Sequence, residues 1–174
     1  GLGIAGLNFD GPCHYFPEVS GKNNVTPFEL IPYLLSQYTT VAEVKEALKS
    51  VNLVKINFSE KLQLSPLHWL MADKTGESIV VESTLSGLHV YDNPVHVLTN
   101  NPEFPGQLSN LANYSNIAPS QPKNTLVPGV DLNLYSRGLG THFLPGGMDS
   151  ASRFVKVAFV RAHSPQGNNE LSSV

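Results

Sequence analysis

Asn8, Asn100 and Arg153 are the residues whose types and settings could do chemistry. Asn100 closes an apolar run over 95–98, within Val97-Leu98-Thr99-Asn100-Asn101-Pro102. Pro102 biases Asn101 toward extended or turn geometry, so a strand there should stop and hold Asn100 at its tip. Asn-Asn-Pro also makes a plain turn, and these residues alone leave both readings open. Asn8 ends the run Leu2 to Leu7, and Arg153 falls in the first turn of the last expected helix, where a cation opposes the helix dipole. An ordinary surface arginine is the competing reading. Two carboxamides and a guanidinium donate hydrogen bonds without being acids or nucleophiles. Such a set can form an oxyanion hole, but it cannot attack a substrate. An enzyme built on it needs an attacking group that is not in this chain.

Other chemistries find little support. The histidines (His14, His68, His89, His96, His142, His163) are scattered, with no i, i+4 pair and no Cys-x-x-Cys, so no metal site and no cofactor is expected. His68, beside Trp69 in an apolar run, reads as a satisfied core histidine. There is no Gly-x-Ser-x-Gly elbow, no phosphate loop and no dinucleotide fingerprint. Ser136 to Gly140 holds two glycines but lacks a strand-to-helix setting. Cys13 lies in a Gly-Pro-rich loop with no cationic neighbour except His14, a poor setting for a nucleophile.

The elements that must position these groups follow from periodicity. Residues 2–7, with small Gly3, Ala5 and Gly6, read as a tightly packed central strand. Residues 9–24 are loop. Thr26-Pro27-Phe28-Glu29 signals a helix start running to about Tyr38, kinked or very short because of Pro32. A second capping box, Thr40 to Glu43, opens a helix with Val41, Val44, Ala47 and Leu48 inward. Leu53, Val54, Ile56 and Phe58 read as a strand, followed by a loop over 59–65 that exposes Leu62 and Leu64. Four short strands over 67–72, 78–82, 88–91 and 95–99 make an antiparallel meander. Residues 107–114 suit a short helix, and 115–145 form a long segment with no periodicity before 130–134. The last helix has Ala151, Phe154, Val155, Ala158, Phe159 and Ala162 on one face and Asp149 or Ser150 as cap. Val157 and Val160 widen that surface, so cover on two sides is expected. The order of elements is α+β.

Composition sets the outer bounds. The chain has 174 residues, 41% hydrophobic and 14% charged, enough for about one domain with a real core. A net charge of -3 offers no footprint for nucleic acid and no polybasic membrane patch, and no run approaches a membrane span. With no leader pattern, the sequons at Asn24, Asn57 and Asn113 are expected to be chance matches. The single cysteine fits a reducing compartment, so a cytoplasmic location is expected. The chain opens without Met, as though in mid-strand, and closes on a polar tail over 164–174. One incomplete domain over 1–174 is expected, part of a longer protein.

Several motifs resemble the choloylglycine hydrolase family, which holds the bile salt hydrolases of intestinal lactobacilli and the penicillin V acylases. They are Ala5-Gly6-Leu7-Asn8-Phe9, Val25-Thr26-Pro27-Phe28-Glu29, Ile56-Asn57-Phe58-Ser59-Glu60, Leu64-Ser65-Pro66-Leu67-His68-Trp69-Leu70, Tyr91-Asp92-Asn93-Pro94, Leu98-Thr99-Asn100-Asn101-Pro102, Tyr135-Ser136-Arg137-Gly138 and Ser152-Arg153-Phe154-Val155. They occur in the family's order along essentially the whole chain. The resemblance implies an N-terminal-nucleophile hydrolase, an αββα sandwich of two antiparallel sheets between helix layers, here incomplete.

It also implies a cysteine nucleophile at the mature N-terminus, with an Arg and an Asp close behind, all upstream of Gly1. Cys13 does not correspond to that nucleophile. Asn100 matches the asparagine whose side chain helps form the oxyanion hole, Asn8 the position that completes it, and Arg153 the arginine near the nucleophilic sulfur. Leu62 and Leu64 fall in the family's loop over the steroid, where exposed leucines suit an apolar ring system; a loop tucked onto the core is the competing reading. The implied reaction is hydrolysis of glycine- or taurine-conjugated bile salts, with no cofactor. The segment 116–134 resembles the arm through which these enzymes assemble tetramers, so a homotetramer is expected of the full-length protein. Penicillin V acylases tend to carry Tyr where this chain has Asn8, which favours bile salts. A penicillin V acylase-like amidase and a non-catalytic steroid-binding or assembly module are the alternatives.

Overall fold

The computed structural model describes residues 1–165; the expected polar tail lies, from residue 166 on, outside the described residues. The strands are β1 (Leu2–Asn8), β2 (Asn23–Val25), β3 (Val51–Leu53), β4 (Leu67–Asp73), β5 (Ser78–Thr84) and β6 (Gly87–Asp92). The helices are α1 (Leu30–Leu35), α2 (Val41–Leu48), α3 (Phe104–Ala112) and α4 (Ser150–His163). The chain divides into two compact units, 1–106 and 107–174.

The first unit is built on an antiparallel sheet in the order β1-β4-β5-β6, with a small parallel pair β2-β3 beside it. One face of the sheet presents Trp69 and Met71 from β4 and Ile79 and Val81 from β5. These pack with Leu30 and Leu34 of α1 and Val41, Val44 and Leu48 of α2 in one apolar cluster. Burying a side chain of this kind removes about 1.5–3 kcal/mol of unfavourable hydration, so this cluster is the main stabilising feature of the unit. The opposite face carries Val80 with His68 and Glu82. Every residue of β5 is buried, which is why the strand shows no polar alternation.

The expected meander is present in its first three strands. The fourth, over 95–99, is not a strand. Asp92-Asn93-Pro94 turns the chain, Pro94 brings no N–H to a ladder, and His96 takes a left-handed φ of 54°. Side chains serve this backbone instead: Asn93 Nδ2 donates to the Val97 carbonyl at 3.1 Å and His68 Nε2 meets the Thr99 carbonyl at 2.8 Å. Val97, Leu98 and Thr99 are nonetheless buried, so the apolar run marked depth, not strand.

Other departures have local causes. β1 has one strand partner, β4, among the described residues, and its small residues Gly3, Ala5 and Gly6 are exposed while Leu2, Ile4 and Leu7 are half-buried. α1 begins at Leu30 and not at Pro27. Thr26 gives its hydroxyl to the Glu29 carboxylate at 2.5 Å, leaving Pro32 in the first turn, where its missing N–H costs nothing. The result is the very short helix that was one of the two expectations. β3 ends at Leu53, and Ile56 and Phe58 are exposed. α2 carries the complete capping box at Thr40 and Glu43, as expected.

In the second unit, residues 113–149 are irregular apart from a 3-10 turn at Leu139–Thr141. α4 is capped by Asp149, whose Oδ1 accepts the Ser152 N–H at 3.0 Å. Its buried face is Phe154, Val155 and Ala158, whereas Val157 and Val160 are exposed. The helix is therefore covered on one side, not two; single apolar side chains at a surface are ordinary.

Two stability predictions follow from the caps of α2. Thr40→Ala removes the acceptor for the Glu43 N–H and should cost about 1 kcal/mol, read by urea denaturation of the complete protein. Asp73 holds the Thr75 hydroxyl and N–H and the Val41 N–H, bonds that keep its carboxyl below the ordinary carboxylate range. With the folded pKa depressed, its contribution is present above about pH 4 and fades as pH falls through the folded value. Asp73→Asn should therefore flatten the acid side of the stability profile, and an unchanged slope would contradict this role.

Candidate functional site

The far end of the sheet gathers residues distant in sequence. Asn8 is the last residue of β1, opposite Leu67 in the register with β4. Its carbonyl accepts a hydrogen bond from Asn100 Nδ2 at 2.8 Å. One residue on, Asn101 Nδ2 donates to the Asp10 carbonyl at 2.5 Å. Two consecutive carboxamides thus stitch the segment after Thr99 onto the chain leaving β1. Asn8 is exposed and Asn100 half-buried, so the pair sits at the surface end of a buried framework.

That framework is a set of buried polar groups. His68 on β4 and Glu82 on β5 face each other in register, both fully buried, with Nδ1 to Oε1 at 3.0 Å. The Thr99 carbonyl can only accept, so His68 Nε2 carries a hydrogen and donates to it. The Glu82 carboxylate also receives the Phe104 N–H, at 3.0 Å to Oε1 and 3.2 Å to Oε2. Phe104 opens α3, and a carboxylate at a helix N-terminus is electrostatically favoured. This explains why α3 starts three residues earlier than the local pattern suggested. The Phe9 ring lies flat on the imidazole, centroids 4.4 Å apart and 4° from parallel. His68 is thus a satisfied core histidine, as expected.

The remaining expected residues are placed as follows. Leu62 is 58% exposed in its loop; Leu64 is half-buried and packs against the apolar cluster, contrary to the expected exposure, because the loop folds back toward Tyr15 and Leu67. Arg153 belongs to the second unit, where its Nε donates to the Met148 carbonyl at 3.0 Å. That bond answers the unfavourable dipole: the guanidinium reaches back to the loop that precedes the helix. Structure brings Asn8 and Asn100 together, with Leu62 and Leu64 elsewhere in the same unit.

Cys13 bridges to Thr84 and directs Sγ at the Leu67 carbonyl, 3.7 Å away. Burial pushes its thiol pKa up, partly offset by the polar groups of the Tyr15 side chain and the Leu67 backbone beside it. Among the described residues no three His, Cys, Asp or Glu side chains gather into a metal-binding group. Sequence reasoning missed Glu82 and Phe9. Glu82 had one available signal, an acid inside the otherwise apolar Ile79-Val80-Val81 strand.

A family model of linear amide C-N hydrolases, the choloylglycine hydrolase family, matches residues 1–174. The chain is 55% identical over 174 residues to a bile salt hydrolase/transferase of Lactiplantibacillus plantarum, covering all of this chain and 53% of that protein. It is 41% identical over 162 residues to the bile salt hydrolase/transferase of Clostridium perfringens, covering 92% of this chain and 49% of that one. A crystal structure of a variant of conjugated bile acid hydrolase from Clostridium perfringens superposes with a TM-score of 0.85 at 41% identity, over 93% of this chain and 50% of the other. A penicillin V acylase from Agrobacterium tumefaciens shares the fold, with a TM-score of 0.74 at 22% identity, over 99% and 46%. The chain spans about half the length of the curated relatives it matches. The expected N-terminal-nucleophile hydrolase fold is therefore the fold observed.

Because burial raises the Cys13 pKa, less of it is thiolate at neutral pH than of an exposed cysteine. Iodoacetamide should label Cys13 in the native protein roughly tenfold or more slowly than in the urea-unfolded chain. Peptide mapping by mass spectrometry checks this, and equal rates would contradict the burial.

Proposed function

The chain belongs to the choloylglycine hydrolase family of linear amide C-N hydrolases, and on that premise we propose that it is the oxyanion-binding part of a bile salt hydrolase. The substrate is a bile acid joined to glycine or taurine through an amide. The observation that carries this reading is the hydrogen bond from Asn100 Nδ2 to the Asn8 carbonyl. It joins two residues 92 apart in sequence, both assigned to the oxyanion hole by the resemblance.

The nucleophile in this reading is an N-terminal cysteine outside these residues. Cys13 does not correspond to that cysteine, and its half-buried thiol is hydrogen-bonded to the Leu67 carbonyl. The cysteine's own α-amine takes the thiol proton, and the thiolate attacks the amide carbonyl. Negative charge collects on the carbonyl oxygen, where donors from Asn8 and Asn100 stabilise it. The role asked of Asn100 needs one N–H on Asn8 and the second directed at the substrate, which a carboxamide can supply. Collapse of the tetrahedral species expels glycine or taurine, whose nitrogen takes up the proton. Water then cleaves the thioester and releases the bile acid. The resemblance gives Arg153 the role of the arginine near the nucleophilic sulfur, where a cation would favour the thiolate.

The loop with exposed Leu62 offers apolar contact to the steroid rings, and Leu64 of the same loop packs against the apolar cluster. We further propose a homotetramer in the cytoplasm. Exposed Leu126, Val130, Leu132 and Leu134 on the irregular segment suit burial against another copy, and a single cysteine suits a reducing compartment. No second function is favoured by a specific contact.

Asn100→Ala should lower kcat/KM for glycocholate by about 10²–10³-fold in the complete protein, the range for losing one oxyanion donor. Glycine release measures it. Activity within about threefold of the parent would overturn the role. Penicillin V turned over faster than glycocholate would instead favour the acylase reading.

A further inference from the structure

The structure assigns to His68 and Glu82 a function beyond filling the core: we propose that they are the positioning residues that hold Asn100 and Asn8 in register for catalysis. Four contacts carry this. His68 Nε2 holds the carbonyl of Thr99, the residue before Asn100, at 2.8 Å. Glu82 holds the N–H of Phe104, at the far end of the same segment, at 3.0 Å. The pair is joined at 3.0 Å between adjacent strands. The imidazole is stacked under Phe9, the residue after Asn8. One fully buried pair therefore touches the chain on both sides of Asn100 and directly beside Asn8.

Physical cost argues the same way. Ionisable groups without exposure are expensive to bury, and an apolar pair of similar volume is often neutral or better for stability. What an apolar pair cannot do is hold a carbonyl and an N–H from an irregular segment. Residues 95–103 have no ladder or helix to define their path, so side-chain hydrogen bonds must define it. Catalysis by a preformed oxyanion site is sensitive to displacements of about 1 Å. A rigid anchor one residue from the donor limits such displacement.

This inference rests on the hydrolase reading for its kinetic test but has a structural one of its own. His68→Gln and the isosteric Glu82→Gln would be made in the complete protein, each with and without Asn100→Ala. In the parent background kcat for glycocholate should fall about tenfold or more with KM within about twofold; in the Asn100→Ala background the same change should have an effect below about twofold, since neighbours acting through one group are not additive. Equal losses in both backgrounds, or none in the parent, would overturn the proposal. If His68→Gln fails to fold, Glu82→Gln decides by the same criteria. The second readout is solvent exchange of the Asn100 side-chain amide by NMR, which should quicken in either variant. Unchanged exchange overturns the positioning role even if the parent has no amidase activity, an outcome that would by itself sink only the hydrolase reading.

Discussion

Two buried ionisable side chains on neighbouring strands, His68 and Glu82, determine the path of the segment on which the candidate site depends. The sheet itself would fold from its apolar face, where Trp69, Met71, Ile79 and Val81 meet two helices. Hydrophobic burial of that kind is non-directional: it says how much surface leaves water, not where a carboxamide points. Direction comes from the opposite face. There the imidazole takes the Thr99 carbonyl and the carboxylate takes the Phe104 N–H, so both ends of an irregular stretch are tied to regular strands. The hydrogen bond between Asn100 and Asn8 follows from that tether.

Much of this was legible in advance where the determinants are local. The Thr40–Glu43 box, the Asp149 cap with its apolar helical face, and the strands flanking the Asp73–Glu77 turn are written in neighbouring residues, and they appear as read. Misreadings cluster where a distant partner decides. The run over 95–98 has the hydrophobicity of a buried strand, yet a left-handed His96 and side-chain donors to its carbonyls make it a buried irregular segment. The start of α3 answers to Glu82, 22 positions away from Phe104. Thr26-Pro27 signals a start for α1, but Pro32 fits only the first turn, and the helix begins at Leu30.

The site was legible in a different sense. Residue types alone marked Asn8, Asn100 and Arg153 as donors at element ends, and family motifs supplied their expected roles. Neither showed that Asn100 spends a donor on the Asn8 carbonyl, nor that the supporting shell is a hydrogen-bonded histidine and glutamate. A buried acid amid Ile79, Val80 and Val81 was the sequence's one hint of that shell. An irregular segment tied to regular strands by buried polar side chains is the arrangement that the proposed oxyanion role asks for. Cys13, half-buried and hydrogen-bonded to the Leu67 carbonyl, is not the attacking group in the proposed mechanism.

The central claim is that this chain supplies the oxyanion scaffold for a cysteine lying outside it. The most direct measurement is to trap the acyl-enzyme: mix the complete protein with glycocholate, quench in acid within a turnover, and map the adduct by mass spectrometry. The account predicts a cholyl thioester on an N-terminal cysteine, accumulating where its hydrolysis is slow. A thioester on Cys13, or glycine release with the bile acid never attached to any cysteine, would contradict it.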